Sequence, residues 1–171
     1  MPLSRAHGKT PREPWQYGDM ALKEVKKWIN FRHRLVPYLY HTACQTHQSG
    51  IPMIRPLVME YPKDPIAKIQ NLSYMLGDAL LISPGFDRDE YELYLPEGRW
   101  QDIESKEVYE GMTFVHIENK AFADGGTSLR VFQKEGTSIP LFAQKEVLHV
   151  PAQLWKQEDL EFMIFQKKDV D

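Results

Sequence analysis

A helical pattern that stops abruptly at a glycine limits the folds open to this chain. Residues 32–57 read RHRLVPYLYHTACQTHQSGIPMIRPL, an aromatic-rich helical stretch followed by a Gly-Ile-Pro break and a short apolar run. Pro37 lies within the helical stretch, where it costs about 3 kcal/mol unless the fold uses the bend that it introduces. After Ser49 and Gly50 the apolar spacing changes from that of a helix to that of a strand. This change is typical of an α/β unit.

The helix is predicted to run from Asp19 to about Ser49. Asp19 is a favourable N-cap residue, and Gly50 is a natural C-terminal stop. Pro37 is expected to bend the helix near Phe31–Arg34. Between the two ends, apolar residues recur at near-helical spacing: Leu22, Val25, Ile29, Leu35, Val36, Leu39 and Ala43.

Two further elements are predicted directly after this helix. Ile51–Met59 is a continuous apolar run, which favours a strand buried on both faces, as in a parallel sheet covered by helices. Lys63–Tyr74 carries apolar residues three apart and predicts a short helix. Glu60 stands at the exit of the predicted strand and is interpreted as a structural residue rather than a catalytic acid.

The rest of the chain has the pattern of an antiparallel β-sandwich. Short alternating runs are separated by regular turn signals, which favours many short strands over helices. Weaker strand patterns follow at Gln144–Leu154 and Glu158–Gln166. The main strands are predicted at residues 79–83, 91–95, 99–103, 112–117, 128–132 and 138–142.

Composition excludes several classes of partner and site. The chain has 171 residues and a formal net charge of −3, so nucleic acid and acidic membranes are not expected partners. Cys44 is the single cysteine, which rules out an internal disulfide. With no signal-type N-terminal segment, the sequence predicts a cytoplasmic location. The histidines of the predicted helix are His33, His41 and His47. They do not have the i, i+4 spacing of helical metal ligands, so no metal site is expected. No cofactor is expected either.

The segment Arg32–Leu57 resembles a late part of glycoside hydrolase family 31, the α-glucosidase and α-xylosidase family. That family typically carries R-x-R-L-x-P-Y-L-Y and then G-x-P-x-x-R-P-L. Together with this segment, further motifs in the right order make the resemblance specific: SRAHG (Ser4–Gly8), REPW (Arg12–Trp15), YMLGDALLISP (Tyr74–Pro84), YLPEGRWQDI (Tyr94–Ile103) and GTSIPLF (Gly136–Phe142).

The resemblance implies an α+β fragment, the last helix/strand unit of a (β/α)8 barrel followed by an antiparallel β-sandwich. The barrel end is expected over residues 1–75, the sandwich over 76–145, and a tail or the start of a further β-domain over 146–171. The family pattern P-V-F-x-R-x-G is only partly kept, because Gln133 or Lys134 stands where arginine is common.

The resemblance also implies a chemistry that this chain holds only in part. Family 31 enzymes are retaining α-glycosidases, whose mechanism needs two carboxylates about 5–5.5 Å apart. Neither the nucleophile motif nor the acid motif of the family occurs here, so no catalytic residue is predicted and the isolated chain is expected to be inactive. His7 is the predicted substrate-binding residue, because its match in family members hydrogen-bonds the sugar. Arg5 and Trp15 are expected to be architectural, with Trp15 packed beneath the loop.

Three functional hypotheses remain open at this point. The chain is a C-terminal portion of an α-glucosidase or α-xylosidase, or a non-catalytic carbohydrate-binding module, or a structural subunit that completes a barrel carried on another chain. The binding module would hold sugar on aromatic faces such as Trp100 or Tyr94. An α-linked sugar or oligosaccharide is the expected ligand of the full-length enzyme. Self-association or pairing with the missing barrel portion is expected of this chain.

Overall fold

The computed structural model describes residues 8–85, 90–118, 129–143, 156 and 160–167. Most of the helical residues precede the strands, and β1 lies between the second and third helices. After a single 3-10 turn at Pro14–Tyr17, the helices are α1 (Asp19–Arg34), α2 (Val36–Ser49) and α3 (Leu57–Glu60). The strands are β1 (Ile54–Pro56), β2 (Tyr74–Leu76), β3 (Leu80–Ser83), β4 (Glu90–Leu95), β5 (Arg99–Asp102), β6 (Val108–Glu110), β7 (Thr113–Glu118), β8 (Arg130–Lys134), β9 (Thr137–Phe142) and β10 (Leu160–Phe165).

The long helical segment is broken at Leu35, one residue beyond the predicted bend. Pro37 lies in the first turn of α2, where its missing N–H has no helical partner to lose. The proline is therefore accommodated by starting a new helix. Gly50 ends α2 with a φ of 76°, and its N–H donates to the Thr46 carbonyl at 2.8 Å.

The strand expected over residues 51–59 is wrong in length and in partner. Only β1 is extended, and it pairs antiparallel with β2 at the edge of a larger sheet. Arg55 is its one buried residue, whereas Ile51 and Met59 are each 50% exposed. Prolines at 52 and 56 have no N–H to donate, so the ladder is confined to three residues before α3 begins.

The helix expected over residues 63–74 is also wrong, since residues 62–69 form successive turns instead. The Asp64 side chain replaces helical bonding here. Its Oδ1 accepts hydrogen bonds from the N–H groups of Ile66 and Ala67 at 2.8 and 3.1 Å. Side chains that bond their own backbone in this way compete with helix formation. The other oxygen, Oδ2, accepts a hydrogen bond of 2.6 Å from Tyr94 Oη, which ties the turn to the sandwich.

Tyr94→Phe is expected to lower the free energy of unfolding by about 1.5 kcal/mol at neutral pH, because it removes a hydrogen bond to a carboxylate. Burial, followed by the bond to Asp64, raises the pKa of Tyr94 to about 12. Burial alone would raise the pKa of Asp64, but its hydrogen bonds outweigh that effect and lower it. The Asp64 contribution is thus present above its unfolded pKa and lost as pH falls through the folded value.

Urea denaturation at pH 7 and at successively lower pH measures both the cost of Tyr94→Phe and its decline as pH falls through the folded pKa of Asp64. The matched control is Tyr17→Phe, because Tyr17 is 59% exposed and its hydroxyl makes only a long bond of 3.3 Å to the Pro11 carbonyl. Equal stability of the two variants at pH 7 would contradict a structural role for the Tyr94–Asp64 pair.

A six-stranded antiparallel sheet forms the centre of the sandwich, in the order β1-β2-β3-β8-β5-β6. Two antiparallel pairs accompany it, β4 with β7 and β9 with β10. The boundaries of all six main predicted strands are correct within two residues, and the β10 pattern was visible only as a weak alternation. The expectation of an antiparallel sandwich after a helical segment is confirmed.

Alternation along the central sheet divides the core into two layers. On β3, Leu81 packs toward the β4–β7 pair, whereas Leu80 and Ile82 pack toward α2 and β9. Trp100 is fully buried in the first layer, and its Nε1 donates to the Pro96 carbonyl at 2.8 Å. The second layer also contains residues of the helical segment: Leu35, Tyr38 and Leu39.

A tyrosine fastens α2 to the sheet. Tyr38 Oη donates to the Leu76 carbonyl at 2.7 Å and accepts from the Ala79 N–H at 3.1 Å. Gly77 lies between those two residues with a φ of 59°. The turn between β2 and β3 is thereby wrapped around one side-chain hydroxyl of α2. Because both hydrogen bonds of the Tyr38 hydroxyl are buried, they fix the position of α2 on the sandwich.

Candidate functional site

The loop before α1 carries the residues that resemble the family's sugar-contacting segment, and the structure describes it from Gly8 onward. Tyr17 is held within the loop by its bond to the Pro11 carbonyl. Gly8 is close to Arg12, since a Cβ on this glycine would lie 2.7 Å from Arg12 Nε. The expectation that Trp15 is packed beneath the loop is wrong for this structure, in which Trp15 is 63% exposed. The 3-10 turn directs its ring outward.

His7, the predicted substrate-binding residue, lies outside the described residues, as do Ser4 and Arg5. Its role therefore remains a prediction. Gly8 and Arg12 mark the described continuation of that motif. Neighbouring groups offer hydrogen-bond donors and acceptors to hydroxyls, with a guanidinium from Arg12 and a carboxylate from Glu13.

Polar contacts and the partly buried side chains of Trp28 and Phe31 hold α1, and with it this loop, against the sandwich. Lys27 pairs with Glu24 at 2.9 Å and with Glu104 at 2.8 Å. Arg34 donates to the Phe142 carbonyl at 2.9 Å and to Glu161 at 2.8 Å. No residue of α1 is fully buried. The docking of α1 thus differs from that of α2, which enters the core.

Glu60 is engaged by a buried arginine. Arg55 is 5% exposed, and its Nε contacts the Glu60 carboxylate. Its other nitrogens donate to Asp78 Oδ1 at 2.6 Å and to the Pro52 carbonyl at 3.1 Å. The carboxylates of Glu60 and Asp78 therefore balance a buried guanidinium, as such a charge requires. This arrangement supports the structural interpretation of Glu60.

Other acids of the described chain lie on the outer face of the β4–β7 pair. Glu92 Oε1 lies 2.8 Å from His116 Nδ1, and Glu90 Oε2 lies 3.5 Å from His116 Nε2. All three side chains are about half exposed or more. Among the residues that the structure describes, no three potential metal-ligating side chains converge on one point. These acids are surface groups of a strand pair.

The imidazole of His116 is expected to titrate above its ordinary pKa, because the hydrogen bond to Glu92 stabilises the charged form. Desolvation opposes this increase in the pKa of His116 without outweighing it, and the charges of Glu92, Glu90 and Glu118 add to the increase. Glu92→Gln should bring the NMR titration midpoint of the ring down toward 6.5. Glu97→Gln is the control, and it should leave the midpoint unchanged. An equal midpoint in wild type and Glu92→Gln would contradict this pairing.

The aromatic residues proposed to hold sugar on the sandwich are buried. Trp100 is fully buried and Tyr94 is 1% exposed, so neither offers a face to a pyranose ring. A sequence pattern cannot distinguish an outward aromatic from one covered by a distant loop. Here the turn around Asp64 covers Tyr94, and the tilted ring of Phe114 packs against it with the ring centres 5.2 Å apart. The carbohydrate-binding hypothesis thus loses its named residues.

The departure from the family pattern at Gln133 and Lys134 has a structural account. Gln133 is fully buried and donates to the Thr137 and Met163 carbonyls at 3.0 and 2.9 Å. Lys134 Nζ donates to Tyr61 Oη at 3.0 Å and lies 5.1 Å from the centre of that ring. Lys134 thus binds, through its charged Nζ, the tyrosine that follows α3.

Comparison with known proteins identifies two consecutive domains. Residues 1–42 match the family model of the glycosyl hydrolases family 31 TIM-barrel domain. Residues 50–146, more than half of the chain, match that of the glycosyl hydrolase family 31 C-terminal domain. The two matches change over between residues 42 and 50, at the end of α2, and β1 pairs with the sheet of the second.

Individual relatives agree with the family models. The chain is 32% identical over 155 residues to "Alpha-glucosidase 2" of Bacillus thermoamyloliquefaciens, covering 88% of this chain. It is 32% identical over 147 residues to "Alpha-xylosidase" of Saccharolobus solfataricus, covering 84% of this chain. A Flavobacterium johnsoniae GH31 dextranase complexed with glucose superposes over 94% of the chain, with a TM-score of 0.77 and 30% identity.

The chain spans only a small part of these relatives. The matched region is 19% of the length of the α-glucosidase, of the α-xylosidase and of the dextranase. Within the described residues, no helix is both long enough and apolar enough to cross a membrane.

Proposed function

The chain belongs to glycoside hydrolase family 31, and we propose that it is the C-terminal portion of a retaining α-glycosidase that hydrolyses terminal α-glucosides or α-xylosides. The observation that carries this proposal is the consecutive match to the end of the barrel domain and to the C-terminal domain in one chain. The whole enzyme's ligand is then an α-linked sugar or oligosaccharide.

Each described part has a role in this proposal. The loop before α1 that carries His7 is proposed to contact the sugar, and α1 carries its described part. The second helix joins the barrel end to the sandwich through the buried hydroxyl of Tyr38. The sandwich supports the barrel end and contributes no chemistry of its own.

The two catalytic carboxylates are proposed to lie on barrel strands that this chain does not carry. Four described acids support this view, because each already has a structural partner. Glu60 and Asp78 pair with Arg55, and Glu90 and Glu92 flank His116. A retaining mechanism needs one carboxylate free to attack the anomeric carbon and a second free to donate its proton.

An exposed apolar side of α1 supports pairing with the missing barrel portion, whether on the same polypeptide or on another. Met20, Leu22 and Ile29 are 40%, 37% and 45% exposed. Helices that cover a barrel bury such residues against neighbouring strands and helices. For the isolated chain this side predicts self-association at high protein concentration, which sedimentation velocity would measure.

A cytoplasmic location is also part of the proposal, supported by a single cysteine without a disulfide partner.

A chimera tests the role of His7 in catalysis. The matching segment of the B. thermoamyloliquefaciens α-glucosidase is replaced by this chain, and hydrolysis of p-nitrophenyl α-glucoside is measured. His7→Ala in the chimera is expected to lower kcat/KM on the order of 10²-fold, because a hydrogen bond to the transition state is lost. His41→Ala, an exposed change on α2, is the control.

An active chimera in which His7→Ala and His41→Ala have equal kcat/KM would contradict the assignment of His7. A chimera that folds, as judged by its melting transition, but shows no hydrolysis with the wild-type segment would count against the functional equivalence of the two segments. The melting transition separates this outcome from a failure to fold.

A further inference from the structure

A polar cleft lies at the C-terminal end of α2, where the helix meets β1 and the turn between β2 and β3. Its volume is about 330 Å³, within the range of small-molecule sites. The side chains that matter for its chemistry are Gln45, Thr46, Gln48, Ile51, Arg55 and Asp78. It belongs to the other end of the helical segment from the sugar-contacting loop.

The charges around the cleft do not favour an anion. Arg55 is the cationic side chain of its lining, and this guanidinium already contacts Glu60, Asp78 and the Pro52 carbonyl. The C-terminal end of α2 adds the partial negative charge of its last carbonyl groups. With two carboxylates around one guanidinium, the cleft is rich in acceptors. A ligand with several hydrogen-bond donors and no negative charge suits it.

The uncommitted polar groups point to hydroxyl chemistry. Within the described residues, the side chains of Gln45, Thr46 and Gln48 have no hydrogen-bond partner. Each amide offers a donor and an acceptor, and the hydroxyl offers both. The side chain of Asp78 is 70% exposed although its Oδ1 binds Arg55, so Oδ2 is available as an acceptor. The cleft wall thus offers both donors and acceptors.

One apolar side chain completes the lining. Ile51 is 50% exposed beside these groups and offers a small apolar surface. A purely apolar ligand would leave the amides and the carboxylate unpaired, at a cost that a single isoleucine contact does not offset. A compound that presents both C–H and O–H groups matches both parts of the lining.

We propose that this cleft is a second carbohydrate-binding site, which holds one neutral saccharide unit through Gln45, Gln48 and Asp78 with its C–H face on Ile51. The site is separate from the loop that carries His7 and needs no catalytic residue. It would let the C-terminal domain hold a further part of an oligosaccharide chain. Because the cleft is open and lacks a stacked aromatic ring, the dissociation constant for a trisaccharide is expected on the order of 1 mM.

Protein-observed NMR on the purified 171-residue chain tests this site, with isomaltotriose as the probe and inorganic phosphate as the anionic comparison. Isomaltotriose is expected to shift the amide signals of residues 42–51, 55 and 78, and phosphate is expected to leave them unchanged. Gln45→Ala should weaken isomaltotriose binding by about fivefold, the loss of one hydrogen bond. His41→Ala, on the same helix but outside the cleft lining, should bind as wild type does.

The outcomes that overturn the proposal are distinct from those that bear on the enzyme. Phosphate shifts at the cleft, equal affinity in Gln45→Ala, or no shift at residues 42–51 would each overturn it. Shifts confined to residues 8–17 would overturn the cleft while supporting sugar recognition by the loop. The chimera experiment does not depend on any of these results.

Discussion

Trp100→Ala lowers the free energy of unfolding by about 4 kcal/mol in our account, because it empties the centre of the first core layer. The indole is fully buried among β4, β7 and the central sheet. Its Nε1 donates to the Pro96 carbonyl at 2.8 Å, so truncation also leaves a buried acceptor unpaired. Urea denaturation followed by far-UV circular dichroism measures this change without depending on tryptophan fluorescence.

Trp15→Ala provides the matched control for the same chemical change at an exposed position. Trp15 is 63% exposed, so its truncation should change the free energy of unfolding by less than about 0.5 kcal/mol. A small effect at Trp100 would mean that the indole is outside the core. The carbohydrate-binding hypothesis, which places sugar on that ring, would then regain support.

Gly77→Ala is expected to cost about 3 kcal/mol, because it disrupts the attachment of α2 to the sheet. At a φ of 59° a side chain is strained by about 1–2 kcal/mol. The added Cβ would also overlap Tyr38 Oη and lie 2.9 Å from Thr42 Oγ1. Tyr38 must then move, which breaks its bonds to Leu76 and Ala79.

Gly50→Ala separates the backbone strain from the steric conflict. Gly50 has a φ of 76°, yet no atom lies within 4 Å of a Cβ built there. This control should cost only the strain of about 1 kcal/mol. Loss of α2 docking in Gly77→Ala should also increase amide exchange in residues 36–49. If the two glycine variants had equal stability and exchange, the Tyr38 hydroxyl would not hold α2 on the sandwich.

The spacing of apolar residues and the positions of glycine, proline and other turn residues were sufficient to predict most of this fold. Apolar residues recur at helical spacing along the helical segment, and Gly50 ends it. Its start at Asp19 and its end at Ser49 were therefore predictable from the sequence. The strands β4 and β7 alternate in burial, whereas β3 is a short, continuously buried run, and turn residues separate these strands along the chain. The break at Leu35 was predicted within a residue because Pro37 is tolerated only near a helix start.

The elements that were missed depend on contacts that no local pattern reports. Ile51–Met59 is apolar enough for a buried strand, but prolines shorten it and its apolar residues remain half exposed. The turn at 62–69 has helical spacing, but Asp64 binds its own backbone and Tyr94. The short strand results from prolines that lack an N–H, and the turn at 62–69 results from the hydrogen bonds of Asp64, one of them to the distant Tyr94.

The functional residues were predicted from the family motifs, because residue spacing alone did not indicate them. His7 was assigned from the resemblance alone, and it remains a prediction because it lies outside the described residues. The structure adds how the barrel end is fastened, through Tyr38 and Arg34. Burial of Trp100 and Tyr94 was not predictable, because an alternating aromatic fits an inner or an outer face equally well.

Hydrolysis of p-nitrophenyl α-glucoside and α-xyloside by the purified chain is the most direct measurement of whether the reacting carboxylates lie elsewhere. No turnover above the rate in buffer is expected for either substrate. Turnover that persists in His7→Ala but is abolished by changing one acid, such as Glu92→Gln, would contradict it. The chain would then hold its own catalytic carboxylate on the sandwich.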